Sequence, residues 1–287
     1  MFKRFAPAAA GLFLLATLAA GQAVFYGVSG QGGNASSLYT INSTTGAATL
    51  VGATGFSGVG SLAVSPGGTL YGIAGNSGGS PGAHRLISIN TSTGAGTAIG
   101  TTGVTENFTD VAFRSDSVLF GMTGAANLYT INTTTGVATL IGGGSGISTG
   151  GGLAFNSANT LYVANGSNLQ TVNTSTGALT NVVSIAFANT TDAVVGMKFS
   201  SGGVLYGSAW SLDSSTPSQL VTLDTSTGAM VSLGSNGVRL EAIAITSGTV
   251  TPPVTPPATP IPSTLLLMGT SILALASWMF WRRRAVS

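Results

Sequence analysis

The sequence predicts an all-β fold, and three observations support this prediction. Five short segments of nearly identical text recur along the chain. Short apolar stretches alternate with turn-forming Gly, Asn, Ser and Thr, and Gly alone provides 43 of the 287 residues. Only 6% of the residues are charged, against about 25% in an average soluble domain. This composition excludes coiled coils and charged disordered tails.

The repeat is clearest in five nine-residue segments that align without gaps. They are LYTINSTTG (38–46), LISINTSTG (86–94), LYTINTTTG (128–136), LQTVNTSTG (169–177) and LVTLDTSTG (220–228). Each segment reads as a strand followed by a turn, in which Asn or Asp caps the turn with its side chain and Gly takes a positive φ. Because a second short apolar strand follows each turn, as at 48–52 and 138–142, every segment predicts a β-hairpin.

Two further strands recur in every unit. The first has copies at 61–64, 110–113, 152–155, 196–199 and 242–245. The second has copies at 25–27, 70–72, 119–121, 161–163 and 205–207. The nine-residue segments start 41 to 51 residues apart, and four strands in a unit of that length are typical of a β-propeller blade.

The ends of the repeat region predict how the ring closes. The strand at Phe25 has no partner strand before it, and the strand Ala242–Ile245 has none after it. Together they complete one blade. We therefore predict a propeller of five four-stranded blades over residues 24–247, closed by the N- and C-terminal strands. A parallel β-helix is the alternative fold, but its coils are shorter and need no split end units.

The first 23 residues predict a secretory signal peptide. Lys3 and Arg4 form a positive start, and residues 8–19 form an apolar stretch. Small residues then precede a cleavage position between Ala23 and Val24. An uncleaved anchor is the alternative, although the apolar run is shorter than the ~20 residues of a membrane span.

The C-terminal region predicts a spacer, a membrane span and a basic tail. Residues 248–262 are rich in Thr and Pro, a composition that gives a stiff, extended spacer. Residues 263–281 are 19 residues without charge, enough for a single transmembrane helix. The basic tail 282–287 follows, and the positive-inside rule keeps it cytoplasmic. Everything before the span is then expected outside the inner membrane.

This C-terminal text resembles the PEP-CTERM sorting signal of Gram-negative bacteria. The residues that carry the resemblance are Pro260, Ile261, Pro262, Ser263, Thr264, Arg282, Arg283 and Arg284. The resemblance implies processing by an exosortase, a membrane-embedded cysteine transpeptidase, and export to the cell surface or the extracellular matrix. Ile261 stands where the family has a central Glu, and a permanent single-pass anchor is the alternative.

The distribution of charge excludes a nucleic-acid partner. Five of the nine cationic residues lie at the two ends of the chain, whereas all seven acidic residues lie between residues 24 and 247. The region 24–247 therefore carries four cations against seven acids, a net charge of −3. A cationic face for phosphates is not expected there.

The inventory of reactive side chains predicts no catalytic, cofactor-binding or metal-binding residues. The chain has no cysteine and one histidine, so His-His, Cys-His and H-E-x-x-H arrangements are excluded. His84 is predicted to be a solvated loop residue. A calcium site is a weak alternative, because Glu106, Asp110 and Asp116 do not follow a calcium-loop pattern.

Two acids lie at or beside the predicted innermost strands, where propeller enzymes place carboxylates. Asp110 and Glu241 are interpreted as salt-bridged or solvated strand-end residues. Their candidate partners are Arg114, Lys198 and Arg239. The alternative is that both acids act as acid and base in a polysaccharide hydrolase or lyase. The insert 74–85 and the segment 211–218 are the predicted places for a specific binding surface.

The favoured function is that of an exported, non-enzymatic protein of the cell surface or extracellular matrix. The repeat text also resembles uncharacterised propeller repeats that are joined to this kind of sorting tail, which implies a fold more than an activity. Expected roles are adhesion or association with exopolysaccharide. Expected partners are an exosortase, the inner membrane through residues 263–281, and exopolysaccharide or other envelope components. A membrane-anchored scaffold for envelope proteins is a third hypothesis.

Overall fold

A computed structural model describes part of the chain. The described ranges are 22–30, 33–75, 84–144, 146–148, 150–187, 192–211 and 216–248. The predicted spacer from residue 249 onward, the transmembrane helix, the basic tail and all eight sorting-motif residues lie outside these ranges. So does the predicted signal peptide, except for its last two residues.

The described residues form strands that follow the predicted repeat. In chain order the strands of the first three blades are β1 (Phe25–Val28), β2 (Ala35–Ile41), β3 (Ala48–Ser57), β4 (Ser61–Val64), β5 (Leu70–Ala74), β6 (Arg85–Ile89), β7 (Gly96–Thr101), β8 (Phe108–Phe113), β9 (Leu119–Thr123), β10 (Asn127–Ile131) and β11 (Ala138–Gly143). The remaining strands are β12 (Gly150–Phe155), β13 (Leu161–Asn165), β14 (Asn168–Val172), β15 (Leu179–Ser184), β16 (Asp192–Phe199), β17 (Leu205–Ser211), β18 (Gln219–Leu223), β19 (Met230–Ser235) and β20 (Ala242–Ile245).

These strands form five antiparallel four-stranded sheets within the described ranges, as predicted. The orders are β20-β1-β2-β3, β4-β5-β6-β7, β8-β9-β10-β11, β12-β13-β14-β15 and β16-β17-β18-β19. The innermost strands β4, β8, β12, β16 and β20 contact one another in sequence, and β20 contacts β4. The sheets therefore form a closed five-bladed propeller, and the alternative of a β-helix is wrong.

The ring closes through the two terminal strands, as predicted. β1 pairs with β20 in an antiparallel register that places Phe25 opposite Ile245 and Val28 opposite Ala242. Beyond the strands, the backbone N–H of Glu241 donates to the carbonyl of Val28 at 2.7 Å. This closure ties the two ends of the repeat region into a single sheet.

The outer hairpin of each blade has the predicted turn chemistry. In the first blade, Oδ1 of Asn42 accepts the backbone N–H groups of Thr44 and Thr45 at 2.9 and 3.0 Å. Gly46 follows with a φ of 75°, a conformation that favours glycine. Asn90, Asn132, Asn173 and Asp224 make the same pair of bonds in the other blades. We call these five turns the outer turns.

Small residues allow the blades to approach closely around the axis. Register places Ser61, Asp110, Gly152, Gly196 and Ala242 at equivalent positions of the innermost strands. A Cβ atom on Gly196 would lie 2.8 Å from the Cα of Ala242, closer than such atoms normally approach. Two positions further along each strand are Ala63, Ala112, Ala154, Lys198 and Ala244. Asp110 and Lys198 are thus the charged residues in two rings of small ones.

The core lies between neighbouring sheets and consists of apolar strand residues. Leu62, Val111, Leu153, Met197 and Ile243, one from each innermost strand, are fully buried. They belong to apolar clusters that join one blade to the next. No helix within the described ranges is long and apolar enough to span a membrane.

Candidate binding site at the mouth of the central channel

A cavity of about 200 Å³ lies at the end of the axis where the innermost strands begin. All five blades contribute to it. Gly30 and Glu241 come from the closing blade, Gly60 from the second, Asn107 from the third, Gly150 from the fourth and Trp210 from the fifth. We call this space the mouth cavity. Because the five blades are arranged in a ring, aligned positions of the five repeats lie around this cavity. A residue that differs from its counterparts in the other repeats therefore makes the cavity asymmetric.

Trp210 breaks the repeat at the end of a second strand. The pairing of β17 aligns Leu205 with Leu70 of β5, so Trp210 is equivalent to Gly75. The other three blades have Gly30, Gly124 and Gly166 at this position. A large aromatic ring therefore lines the mouth where four blades have no side chain. Trp210 was not among the residues expected at the site, although the replacement of glycine in one of the five repeats is visible in the sequence.

Trp210 is held by a stacked cation. The guanidinium carbon of Arg239 lies 3.3 Å from the centroid of the indole ring, a cation–π arrangement that stabilises both side chains. The indole Nε1 is buried and has no hydrogen-bond partner in the part of the chain that is described. A buried donor without a partner is costly in a folded protein, and a ligand or a bound water would relieve that cost.

Glu241 lies directly before β20 and is the carboxylate of the mouth cavity. Its Oε1 atom is buried without a hydrogen-bond partner among the described residues. Burial raises the pKa of Glu241 to about 7, although the positive charge of Arg239 acts in the opposite direction. The side chain therefore changes between a neutral acid and a carboxylate near neutral pH.

Asp110 has a different environment, which confirms the interpretation as a salt-bridged residue. It is fully buried, and its Oδ2 accepts the ammonium of Lys198 at 2.7 Å. The backbone N–H groups of Val111 and Leu153 donate to the same carboxylate, both at 2.9 Å. Burial raises the pKa of Asp110 and lowers the pKa of Lys198, and in both cases this effect outweighs the attraction between the two charges. Asp110 lies outside the lining of the mouth cavity.

The remaining acids of the weak calcium hypothesis do not come together. Glu106 accepts hydrogen bonds from the hydroxyl of Thr123 at 2.6 Å and from the amide of Asn127 at 3.1 Å. Asp116 forms an exposed ion pair with Arg114 at 2.7 Å. No group of three metal-ligating side chains occurs within the described ranges. Two of the three candidate cations form ion pairs, Lys198 with Asp110 and Arg114 with Asp116. The third, Arg239, lowers the pKa of Glu241 through its positive charge.

The prediction of a solvated His84 is wrong. The side chain is fully buried, with Nδ1 at 2.9 Å from the carbonyl of Val104 and Nε2 at 3.0 Å from Oδ1 of Asn107. The segment between β7 and β8 covers the ring, and Phe108 contacts it edge-on. Because Asn107 lines the mouth cavity, His84 supports one wall of that cavity from behind.

Two predictions about loops and one about processing remain predictions. Residues 76–83, which are most of the predicted binding segment 74–85, and residues 212–215, which are half of the segment 211–218, lie outside the described ranges. At the predicted cleavage position, the backbone N–H of Val24 donates to the hydroxyl of Thr246 at 2.8 Å. This bond places Val24, the predicted first residue after cleavage, beside Thr246, which directly follows the last strand β20.

Of the comparisons with known proteins, only the comparison with solved structures found similar proteins. No family model matches the sequence, and no curated protein matches it. A Bacteroides thetaiotaomicron protein of unknown function is 17% identical with a TM-score of 0.46; the match covers 64% of this chain and 53% of that chain. This chain thus spans about half the length of that protein.

Two further solved structures are similar at a comparable level. A chain of a nidogen/laminin complex is 12% identical with a TM-score of 0.49, and the match covers 74% of this chain and 77% of that chain. A Bacteroides caccae protein of unknown function is 15% identical with a TM-score of 0.45, and the match covers 77% of this chain and 98% of that chain. At these identities and TM-scores the matches do not bear on function.

Proposed function

We propose that this protein is exported and binds polysaccharide at the cell surface or in the extracellular matrix without cleaving it. The mouth cavity is the observation that carries this proposal. Trp210, Glu241 and Asn107 line it together. Binding sites for small polar ligands join aromatic surface to a few hydrogen-bonding groups in this way, and sugar hydroxyls both donate and accept.

The environment of the two acids supports binding over hydrolysis. Glycosidases place two carboxyl groups on either side of the scissile bond, about 5–10 Å apart. Glu241 lines the mouth cavity, whereas Asp110 is enclosed in its ion pair with Lys198. Cleavage remains the second candidate, because the pKa of about 7 at Glu241 suits a general acid near neutral pH.

Export is supported by the sequence at both ends of the chain. The resemblance of residues 260–284 to a PEP-CTERM signal implies passage through an exosortase. In the ring, Val24 and Thr246 are hydrogen-bonded to each other, at the end of β20 that is remote from the mouth cavity.

The binding part is tested with the full chain purified in a nonionic detergent and a panel of immobilised polysaccharides. We expect retention on at least one polysaccharide, and loss of retention in Trp210→Ala. Asp116→Asn, which removes an exposed acid away from the mouth, is the control and should bind as the parent does. Release of new reducing ends that disappears in Glu241→Gln would instead establish the hydrolase.

The sorting part is tested by fractionating cells with and without the exosortase. We expect the protein at the surface or in the matrix of normal cells, and in the inner-membrane fraction of cells that lack the enzyme. An identical distribution in both strains would show a permanent anchor.

A further inference from the structure

His84 and Asn107 form a hydrogen-bonded pair at the wall of the mouth cavity. We propose that His84 orients the amide of Asn107 so that its oxygen, and not its nitrogen, is presented to the ligand. His84 is then a positioning residue, and Asn107 is the contact that accepts a sugar hydroxyl. This inference rests on the proposed function, because it names a specificity-determining contact of the same site.

The imidazole of His84 is held in one position. It is fully buried, and the backbone carbonyl of His84 accepts the N–H of Thr102 at 2.9 Å. On the ring itself, Nδ1 lies 2.9 Å from the carbonyl oxygen of Val104, and Phe108 contacts the ring edge-on. A carbonyl oxygen only accepts hydrogen bonds. Nδ1 is therefore the nitrogen that carries a proton.

The surroundings of the imidazole favour its neutral form. A buried charge is costly unless an opposite charge pairs with it, and the ring nitrogens of His84 contact a carbonyl and an amide. The carboxylate of Glu106, one position before Asn107, is engaged by hydrogen bonds of its own. The residue that follows His84 is a cation, Arg85. With its one proton on Nδ1, the neutral imidazole has an acceptor at Nε2.

Nε2 of a neutral imidazole needs a donor, and the amide of Asn107 can supply one. Oδ1 of Asn107 lies 3.0 Å from Nε2, and two acceptors at that distance repel each other. The oxygen and the nitrogen of the amide exchange places when the group turns by about 180° around its last bond. Nδ2 then donates to Nε2 of His84, and Oδ1 takes the opposite side of the amide.

The side of the amide that turns away from His84 is the side that a ligand reaches. Asn107 is exposed and lines the mouth cavity, and its backbone carbonyl is already used by the N–H of Gly124 at 3.0 Å. An amide oxygen there requires a donor such as a sugar hydroxyl, whereas an amide nitrogen would pair with ether and carboxylate oxygens. The wall therefore favours a free hydroxyl over a uronate carboxylate or a methylated hydroxyl.

The protonation of the imidazole is measured by nitrogen NMR on the full chain in a nonionic detergent without a sugar head group. His84 is the one histidine of the chain, so ring-labelled histidine gives a single set of signals. We expect a protonated Nδ1 and an unprotonated Nε2 at pH 7.5. In Asn107→Asp an oxygen must face Nε2, so both nitrogens should become protonated. Protons on both nitrogens of the parent, or on Nε2 alone, would overturn the assigned orientation.

The ligand contact is measured by titration calorimetry in the same detergent, with cellohexaose, maltohexaose and mannohexaose as neutral probes. Asn107→Asp keeps an acceptor toward the cavity and should bind a probe with at least about a third of the parent's affinity. Asn107→Leu removes the acceptor and should lose about tenfold, the worth of one hydrogen bond. Asp116→Asn is the control and should bind as the parent does. Equal losses in the two Asn107 variants would overturn the acceptor at the wall.

The outcomes separate this inference from the proposed function. The NMR result decides the orientation of the amide without any ligand. Binding of a probe with equal losses in the two Asn107 variants would leave polysaccharide binding intact. Failure of all three probes and of the immobilised panel would overturn the proposed function, and the ligand contact with it. A thermal melt of each variant confirms that the propeller is folded.

Discussion

The outer turns and the axis of the ring differ in how they use the repeat. At the outer turns, one Asn or Asp and one Gly perform the same task in all five blades. At the axis and mouth, Asp110, Lys198, Trp210 and Glu241 each occur in one blade, where the other blades have small or different residues. The comparison teaches that repeated residues build the ring, whereas residues that depart from the repeat build its centre.

The axis itself contains two acids with opposite environments. Asp110 has an ammonium and backbone N–H groups around it. Glu241 has a buried oxygen without a partner among the described residues. Only the second has unused hydrogen-bonding capacity, and it lines the cavity. Of the two acids that depart from the repeat, Asp110 thus fills the axis together with Lys198, whereas Glu241 lines a cavity.

The largest effect is expected from breaking the ion pair at the axis. Lys198→Met leaves the carboxylate of Asp110 buried without its countercharge, and such a loss costs about 3–5 kcal/mol. The free energy of unfolding in urea at pH 7 measures it. The double variant Asp110→Asn with Lys198→Met removes both charges and should recover much of the stability. A cost below about 1 kcal/mol for the single variant would contradict the assignment of a buried pair.

A smaller and pH-dependent effect is expected at the mouth. Burial raises the pKa of Glu241 from 4.5 to about 7, so the folded state binds this proton more tightly than the unfolded chain. Stability should therefore fall as pH rises from about 4.5 to about 7 and remain lower above it. Glu241→Gln lacks this loss. Relative to the parent, it should gain on the order of 2–3 kcal/mol between pH 4 and pH 8.

Urea unfolding of both proteins at pH 4 and pH 8 measures this difference. The same comparison with Asp116→Asn controls for a general effect of removing an acid. A parallel pH dependence in the parent and in Glu241→Gln would show that Glu241 is solvated.

The smallest effect is expected at the outer turns. Oδ1 of Asp224 accepts the backbone N–H groups of Ser226 and Thr227 at 2.8 and 2.9 Å. The hydroxyl of Ser226 also donates to this carboxylate, and that bond, followed by the two backbone bonds, lowers the pKa of Asp224 to about 2. Asp224→Asn places the residue of the other four turns here and should change stability at pH 7 by less than about 0.5 kcal/mol.

The matched variant for this comparison is Asn90→Ala. It removes the two bonds to Ser92 and Thr93 and should cost about 1 kcal/mol, in line with the loss of a side-chain cap. Equal stability losses in Asp224→Asn and Asn90→Ala would show that the five outer turns are not equivalent.

The fold was predictable because its signals are local and repeated. The outer turn depends on residues that are two to three positions apart, such as Asn42 with Thr44 and Thr45. Ring closure followed from the unpaired strands at both ends. His84 was predicted wrongly because its neighbours in sequence suggest a loop, whereas the segment from Val104 to Phe108 buries it.

The candidate site was predictable in part. The positions of Asp110 and Glu241 near the axis followed from strand alignment. Trp210 could have been found by aligning the repeats, because the other four have Gly at the equivalent position. These glycines are Gly30, Gly75, Gly124 and Gly166. The contrast between the two acids was not predictable, because burial and pairing there depend on several blades at once.

By itself, the sequence determined the outer turns and the split closing blade and predicted five blades, since each follows from short-range chemistry or from counting repeats. The structure then showed that the ring has five blades and not an irregular six. The tertiary structure alone decided that Lys198 reaches Asp110 across 88 positions of the chain. It also decided that Glu241 and Trp210 share one cavity. The physical reason is that the side chains near the axis lose solvent only where the five blades meet. Their burial therefore depends on residues from all five repeats, and the sequence of one repeat does not contain it.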